Sequence, residues 1–260
     1  MIDLTPDNYY SPEANRDYMS VSQIKQLMAC PAAAMAELRG EYTRPVTSAM
    51  LIGSYVDAYF EGTLDKFCTE HPEMYKRDGT LKAEYAHAQT MCKRAERDRL
   101  FCEFMRGVKQ RIVTGEIDGV PFKAKFDVYL PGQRIVDLKT TRDFSPRYKA
   151  GSGLVSFVEA WDYDLQLGVY QLLDGDKLPC YIAAISKETD PDIAVIEIPQ
   201  YYMDAALATL RQNLRYYDAI KRGLVEPEHC GRCEYCRRTK VLDRVQTLEE
   251  FEDVTDTEVL

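Results

Sequence analysis

The chain has 260 residues, a net charge of −9, 45% hydrophobic residues and 8 cysteines. That length fits one large domain or two small ones, with enough apolar sequence for a core. No apolar run reaches the roughly 18 residues of a membrane span, and the polar, acidic opening MIDLTPDNYYSPEANRD lacks the pattern of a secretory signal; the expectation is a cytoplasmic protein with no membrane partner, whose reduced cysteines serve a metal or cluster rather than disulfides.

The acidity is uneven. Residues 247–260 hold six acids and no base, and residues 1–17 hold four acids and one base. Residues 18–246 are therefore near neutrality, and a local basic patch for phosphates is not excluded.

In chain order, Ser20-Val21-Ser22-Gln23 has capping-box form and opens a short helix that stops at Cys30-Pro31. A second helical stretch, AMLIGSYVDAYFEG, ends near Gly62. Residues 63–80, with His71-Pro72 and Asp78-Gly79, read as a loop, and a long charged helix follows from about Lys82 to Met105. Three short strands are expected at 109–117, 120–130 and 134–140, divided by Asp118-Gly119 and Pro131-Gly132 turns. Residues 159–174 return to helical spacing, and 180–187 with 192–198 form a hairpin around Asp190-Pro191. A last helix, 201–222, aligns Leu207, Leu210, Leu214, Tyr217 and Ile220 on one face and stops at Gly223. The pattern is that of one α/β domain with helical additions.

The stretch VPFKAKFDVYLPGQRIVDLKTT carries the chemistry. Its even positions from Val120 to Leu130 are apolar, and Lys123, Lys125, Asp127 and Tyr129 alternate with them, as on a half-buried strand. With Pro131-Gly132-Gln133 as a three-residue loop, Leu130 faces Arg134, Asp127 faces Asp137, and Lys125 faces Lys139. Facing carboxylates repel unless a hard cation lies between them, and an adjoining lysine can orient water or stabilise a charged transition state. The competing reading is a solvated hairpin in which these lysines simply pair with the aspartates.

Asp127 followed by Asp137-Leu138-Lys139 resembles the D…(D/E)-x-K signature of PD-(D/E)XK nucleases, and Gln166-Leu-Gly-Val-Tyr170 is similar to the Q-x-x-x-Y motif of their RecB-like branch. The phrases LIGSYVDAYFEG, KRDGTLKAEY, GVKQRIVTGEIDGVPFKAKFDVYLPG and CGRCEYCRRTK extend the resemblance, over nearly the whole chain, to phage and prophage exodeoxyribonuclease VIII proteins of RecE type. It implies a central mixed sheet flanked by helices, with N-terminal helical additions, and Mg²⁺ or Mn²⁺ at the aspartates. It also implies 5′→3′ hydrolysis of linear duplex DNA for recombination with a single-strand annealing protein, in a homo-oligomeric ring. Carried over, Asp127 and Asp137 become metal ligands, the Leu138 carbonyl adds a ligand, and Lys139 is catalytic. Gln166 and Tyr170, one helical turn apart, hold DNA or the hairpin strands; alternatively they are polar caps on a packed helix. Where many relatives place a metal-binding histidine this chain has Asp57, one turn after Gly53.

Cys230-x-x-Cys233-x-x-Cys236 crowds three thiols into one loop. Zinc or a [4Fe–4S] cluster would want a fourth ligand, for which His229 and Cys30 are the candidates. Some relatives close an iron–sulfur cluster with one early and three late cysteines, though with wider late spacing. The expected organisation is a nuclease domain over 1–246, comprising a helical part (1–106), a catalytic sheet with helices (107–222) and a cysteine-rich segment (223–246). A disordered acidic tail is expected over 247–260.

Overall fold

The computed structural model describes residues 1–242 and 244–248. The acidic tail expected over 247–260 therefore lies, from residue 249 onward, outside the described residues. Seven helices come first: α1 (Pro12–Asp17), α2 (Val21–Ala29), α3 (Pro31–Leu38), α4 (Ser48–Glu61), α5 (Leu64–Glu70), α6 (Ala83–Glu96) and α7 (Arg99–Phe104). Then follow β1 (Val108–Ile117), β2 (Val120–Leu130), β3 (Arg134–Thr141), β4 (Arg147–Lys149), β5 (Gly153–Val155), α8 (Phe157–Ala160) and α9 (Tyr163–Asp174). The remainder comprises β6 (Cys180–Ser186), β7 (Ile193–Glu197), α10 (Gln200–Lys221) and α11 (Glu234–Thr239).

Local chemistry accounts for several boundaries. Ser20 Oγ accepts the Gln23 amide at 3.3 Å, but the Gln23 side chain donates to the Asn15 carbonyl, so only half of the expected capping box forms. Gly62 ends α4 in the left-handed conformation at φ 80°. Three expectations fail. The helical stretch expected over 159–174 is divided at Asp162, φ 51°, into α8 and α9. The supposed loop 63–80 contains α5 and a 3₁₀ turn at Pro72–Met74. The supposed single helix 82–105 breaks at Arg97-Asp98, because the Asp98 carboxylate accepts the Phe101 amide at 2.8 Å and starts α7 anew.

The five-stranded sheet runs β1-β2-β3-β6-β7. Only the β3–β6 pair is parallel, and its crossover passes through β4, β5, α8 and α9, as parallel pairing requires. One core cluster joins Val128, Val136, Leu138, Ala183 and Ile185 to residues of α4, α6 and α7. A second joins Ala124, Phe126, Ile135, Ile182 and Ala184 to Leu167 and Tyr170 of α9. A third packs Val120 and Phe122 against α2, α9 and α10. This is the mixed sheet flanked by helices that the sequence implied.

The strict alternation expected of β2 does not hold throughout. Ala124 and Phe126 belong to one core cluster and Val128 to another. The slip falls at Asp127, whose would-be β1 partner Gln110 has φ 53° and is skipped in the ladder.

Candidate active site

The sheet forks between its second and third strands. β2 pairs with β3 from Val128↔Val136 to Leu130↔Arg134, the register expected from the three-residue loop. Beyond Val128, β2 stays with β1 to Ile117↔Val120, while β3 follows β6 to Thr141↔Ser186. Asp127 and Asp137 stand one step into this fork, and the expected ladder partnership of Lys125 with Lys139 does not form. The open edge left there is claimed by a side chain: the Leu138 amide donates to Asp127 Oδ2 at 2.8 Å.

Asp57, Asp127, Asp137, Lys139, Gln166 and Tyr170 line one cleft of about 440 Å³. Leu138 borders a smaller adjoining pocket with Asp57, Gln110 and Asp127. The Asp137 side chain is only 1% exposed and lies 2.5 Å through Oδ2 from Lys139 Nζ. That contact is an ion pair buried from water. The other Asp137 oxygen accepts from Gln166 Nε2 at 2.9 Å, and the same nitrogen lies 2.8 Å from the Tyr170 hydroxyl. Tyr170 is buried against Phe126, with ring centroids 4.8 Å apart. Gln166 therefore positions a carboxylate, and Tyr170 stands behind it.

The electrostatics follow from crowding acids out of water. Burial, aided by Asp127 and opposed by Lys139, pushes the Asp137 carboxyl up to about 7. Burial and then the Asp127 charge hold Asp57 well above the carboxylate range. Burial disfavours the Lys139 ammonium, but Asp137 and Asp127 more than offset it and hold the amine above its ordinary range. The lysine thus stays charged.

Two desolvated carboxylates, Asp57 and Asp137, and the half-buried Asp127 form a donor set whose chemistry fits a hard divalent cation. Among the described residues the three carboxylates do not form a group with all ligand oxygens within 4.8 Å of one another, as four cysteine sulfurs do. The Lys139 ammonium occupies the Asp137 oxygen that a cation would take.

Helix α4 approaches this fork closely. A Cβ on Gly53 would lie 3.3 Å from Thr140 Oγ1 of β3. Gly53→Val should therefore press α4 off β3, carry Asp57 away from Asp137, and cost about 1–3 kcal/mol. A thermal melt paired with a hydrolysis assay reads both effects, and unchanged activity would reject the close-packing argument.

Several cleft residues escape the sequence reading, Glu61, Tyr9 and Tyr10 among them. Glu61 lies one turn after Asp57 on α4, a spacing that could have revealed it. Lys125, expected beside the aspartates and opposite Lys139, does line the cleft; Tyr9 and Tyr10 sit in an N-terminal stretch notable only for its charge.

At the C-terminal side, Cys30, Cys230, Cys233 and Cys236 place their sulfurs within 4.8 Å of one another. Cys30 Sγ lies 3.5 Å and Cys230 Sγ 3.9 Å from Cys236 Sγ. His229, the other candidate ligand, has Nδ1 3.5 Å from Cys236 Sγ. Burial alone would raise the Cys230 thiol, but backbone N–H groups of Cys233 and Arg232 outweigh it and bring it to about 6. Such a donor set fits a thiophilic metal centre.

A forked mixed sheet with D and D-x-K at the split defines the PDDEXK-like class of phosphodiester-hydrolysing nucleases. Residues 20–239 match the family described as a PDDEXK-like domain of unknown function (DUF3799), and the chain belongs to that family. It is also similar to a solved structure from Eubacterium rectale named "putative exonuclease", with 39% identity, a TM-score of 0.93, and coverage of 96% of this chain and 98% of that one. A second solved structure, SSO0001, aligns with 82% of this chain and 94% of that chain, but 14% identity and a TM-score of 0.33 make the likeness slight. No curated protein matches.

Proposed function

We propose that this nuclease is a metal-dependent DNA exonuclease of RecE type, digesting linear duplex 5′→3′ to leave a strand for a single-strand annealing protein. The observation that carries the reading is the meeting of Asp57, Asp127, Asp137 and Lys139 in one cleft at a forked sheet edge. The exonuclease name of the Eubacterium rectale protein supports it; the polarity and the recombination role come from the RecE-type sequence resemblance.

In this reading Asp57, Asp127, Asp137 and the Leu138 carbonyl hold Mg²⁺ or Mn²⁺. When bound, the cation supplies Lewis acidity at a phosphoryl oxygen and makes water more acidic. The Lys139 ammonium leaves Asp137 for the phosphate and stabilises the negative charge that develops there. Gln166 keeps Asp137 aimed, and buried Tyr170 fixes Gln166. These residues work within one nuclease domain over 1–246, in a cytoplasmic homo-oligomeric ring.

The cysteine centre is a structural metal site. With Zn–S bonds of about 2.3 Å, tetrahedral sulfurs stand about 3.8 Å apart, close to the spacings of 3.5 and 3.9 Å here. This favours a single ion such as Zn²⁺ over a [4Fe–4S] cluster, whose thiolates are spread around a four-iron core. Metal analysis and visible absorbance of anaerobically purified protein decide the point; a brown protein rich in iron would reverse it.

The test of function is digestion of end-labelled linear duplex with Mg²⁺, alongside EDTA and closed circular DNA. Release of mononucleotides from 5′ ends, abolished by EDTA, is expected. Cleavage of closed circles, or release only from 3′ ends, would refute the RecE-type assignment.

A further inference from the structure

The N-terminal segment ahead of α2 is built into the cleft. Met19 donates to the Pro121 carbonyl and accepts from the Lys123 amide, both at 2.8 Å, pinning the segment beside β2. Lys123 is 2% exposed; its amine donates to the Tyr9 carbonyl and, at 2.8 Å, to Asn15 Oδ1. Lys221 of α10 donates to the Tyr18 carbonyl at 2.6 Å. So anchored, the segment carries Tyr9 and Tyr10 into the wall of the cleft that holds Asp127, Asp137 and Lys139. Both tyrosines lie before residue 20, where the family match begins.

The two rings differ. Tyr9 is buried, whereas Tyr10 is 69% exposed and meets Tyr9 edge-on at 4.9 Å. Lys125 Nζ lies 4.7 Å from the Tyr10 ring centre. Among the lysines of the cleft, Lys139 pairs with Asp137, and Lys123 and Lys221 are taken by main-chain and amide oxygens. Lys125 forms no ion pair with a carboxylate among the described residues; its charge acts at longer range on Glu61, and its ammonium rests against the Tyr9 and Tyr10 rings, within reach of an anion that enters the cleft. Lys125 and Asp127 are two residues apart on β2, about 7 Å along the strand.

We propose that Tyr10 and Lys125 form a nucleotide subsite beside the reacting phosphate, with an unpaired base stacked on Tyr10 and its phosphate on Lys125. A ring flanked by a cation is the recurring means of holding single-stranded nucleic acid without reading its sequence. The volume of about 440 Å³ lies in the range that encloses a drug-sized molecule, the scale of one nucleotide. The strand therefore enters the cleft unpaired, whatever its sequence. This rests on the DNA-nuclease reading and adds to it the state of the strand at the site.

The test compares wild type with Tyr10→Ala, Tyr10→Phe and Tyr10→Trp on DNA ends carrying either a normal or an abasic terminal nucleotide. Loss of stacking should lower kcat/KM of Tyr10→Ala by about 10-fold through KM, with Phe and Trp retaining function. On abasic ends, wild type should fall to the Tyr10→Ala level and Tyr10→Ala should lose nothing more. Unchanged kcat/KM in Tyr10→Ala, a Phe variant as impaired as Ala, or equal abasic penalties in both proteins would overturn the subsite. A parallel binding assay in EDTA, with terminal 2-aminopurine, keeps the two readings separable. Fluorescence quenching by wild type but not by Tyr10→Ala supports stacking even if no hydrolysis occurs, and quenching by both overturns it. Absence of hydrolysis by wild type with Mg²⁺ or Mn²⁺ would remove only the nuclease reading.

Discussion

Lys139→Ala should lower hydrolysis of linear DNA by about 10²–10³-fold, the usual consequence of removing a preorganised charge from a developing oxyanion. The amine is held protonated by Asp137 and Asp127, so in the proposed mechanism it would serve as a charge and a proton donor rather than as a base. Removing it also frees the Asp137 oxygen 2.5 Å away. At about pH 9, with the carboxylate ionised, Ca²⁺ should therefore bind the variant at least as tightly as wild type. Calorimetry beside a rate assay separates the two effects. Loss of cation binding together with activity would show that the lysine builds the site instead of acting in it.

The same pair sets a pH dependence whose sign is fixed by burial. Asp137 titrates at about 7 in the metal-free fold, above its unfolded value, so the folded state holds the extra proton between about pH 4 and 7. Stability of the metal-free protein should therefore fall as pH rises through that window and level off above it. A cation must displace the proton, so Ca²⁺ affinity should drop about tenfold per pH unit below 7 and plateau above. In Lys139→Ala the opposing ammonium is gone, and both breaks should move to higher pH.

Much of this site was legible because its determinants are local. The three-residue turn at 131–133 fixed the β2–β3 register, and the observed Leu130↔Arg134 pairing follows it. What sequence periodicity could not express is the fork. Alternation assumes that a strand keeps its neighbours, whereas here pairing to β3 stops at Val128 and the face that β2 buries changes between Phe126 and Val128, across Asp127. Helix α5 escapes the sequence because none of its residues is buried, leaving no apolar stripe to detect. The break before α7 did have a signal: Asp98 is a helix-capping residue type, outweighed by the charged helical pattern around it. Tyr9 and Tyr10 owe their position to Lys123, more than a hundred residues away. No local pattern announces such a contact.

Cys30→Ser should cut the metal retained by the cysteine centre by at least about tenfold, although this residue is 200 positions from the C-x-x-C-x-x-C loop. Its importance follows from its place between two helices. Cys30 caps the end of α2 and the start of α3, and Gln26, Leu27, Ala34 and Met35 of those helices line the same cleft as Asp127 and Asp137. The Ala32 amide donates to the Glu228 carbonyl at 3.0 Å, and Ala32 and Ala33 pack on the cluster. A metal held by all four sulfurs would thus tie the cysteine loop to one wall of the cleft. Its loss should raise KM for DNA more than it lowers kcat, because Lys139 and the carboxylates stand on other elements. Limited proteolysis should also begin to cut near 224–240. Cys68→Ser, a free cysteine outside the cluster, serves as the control and should keep its metal. If Cys30→Ser retained metal and resisted protease as wild type does, the fourth ligand would be His229, whose ring nitrogen already lies 3.5 Å from Cys236.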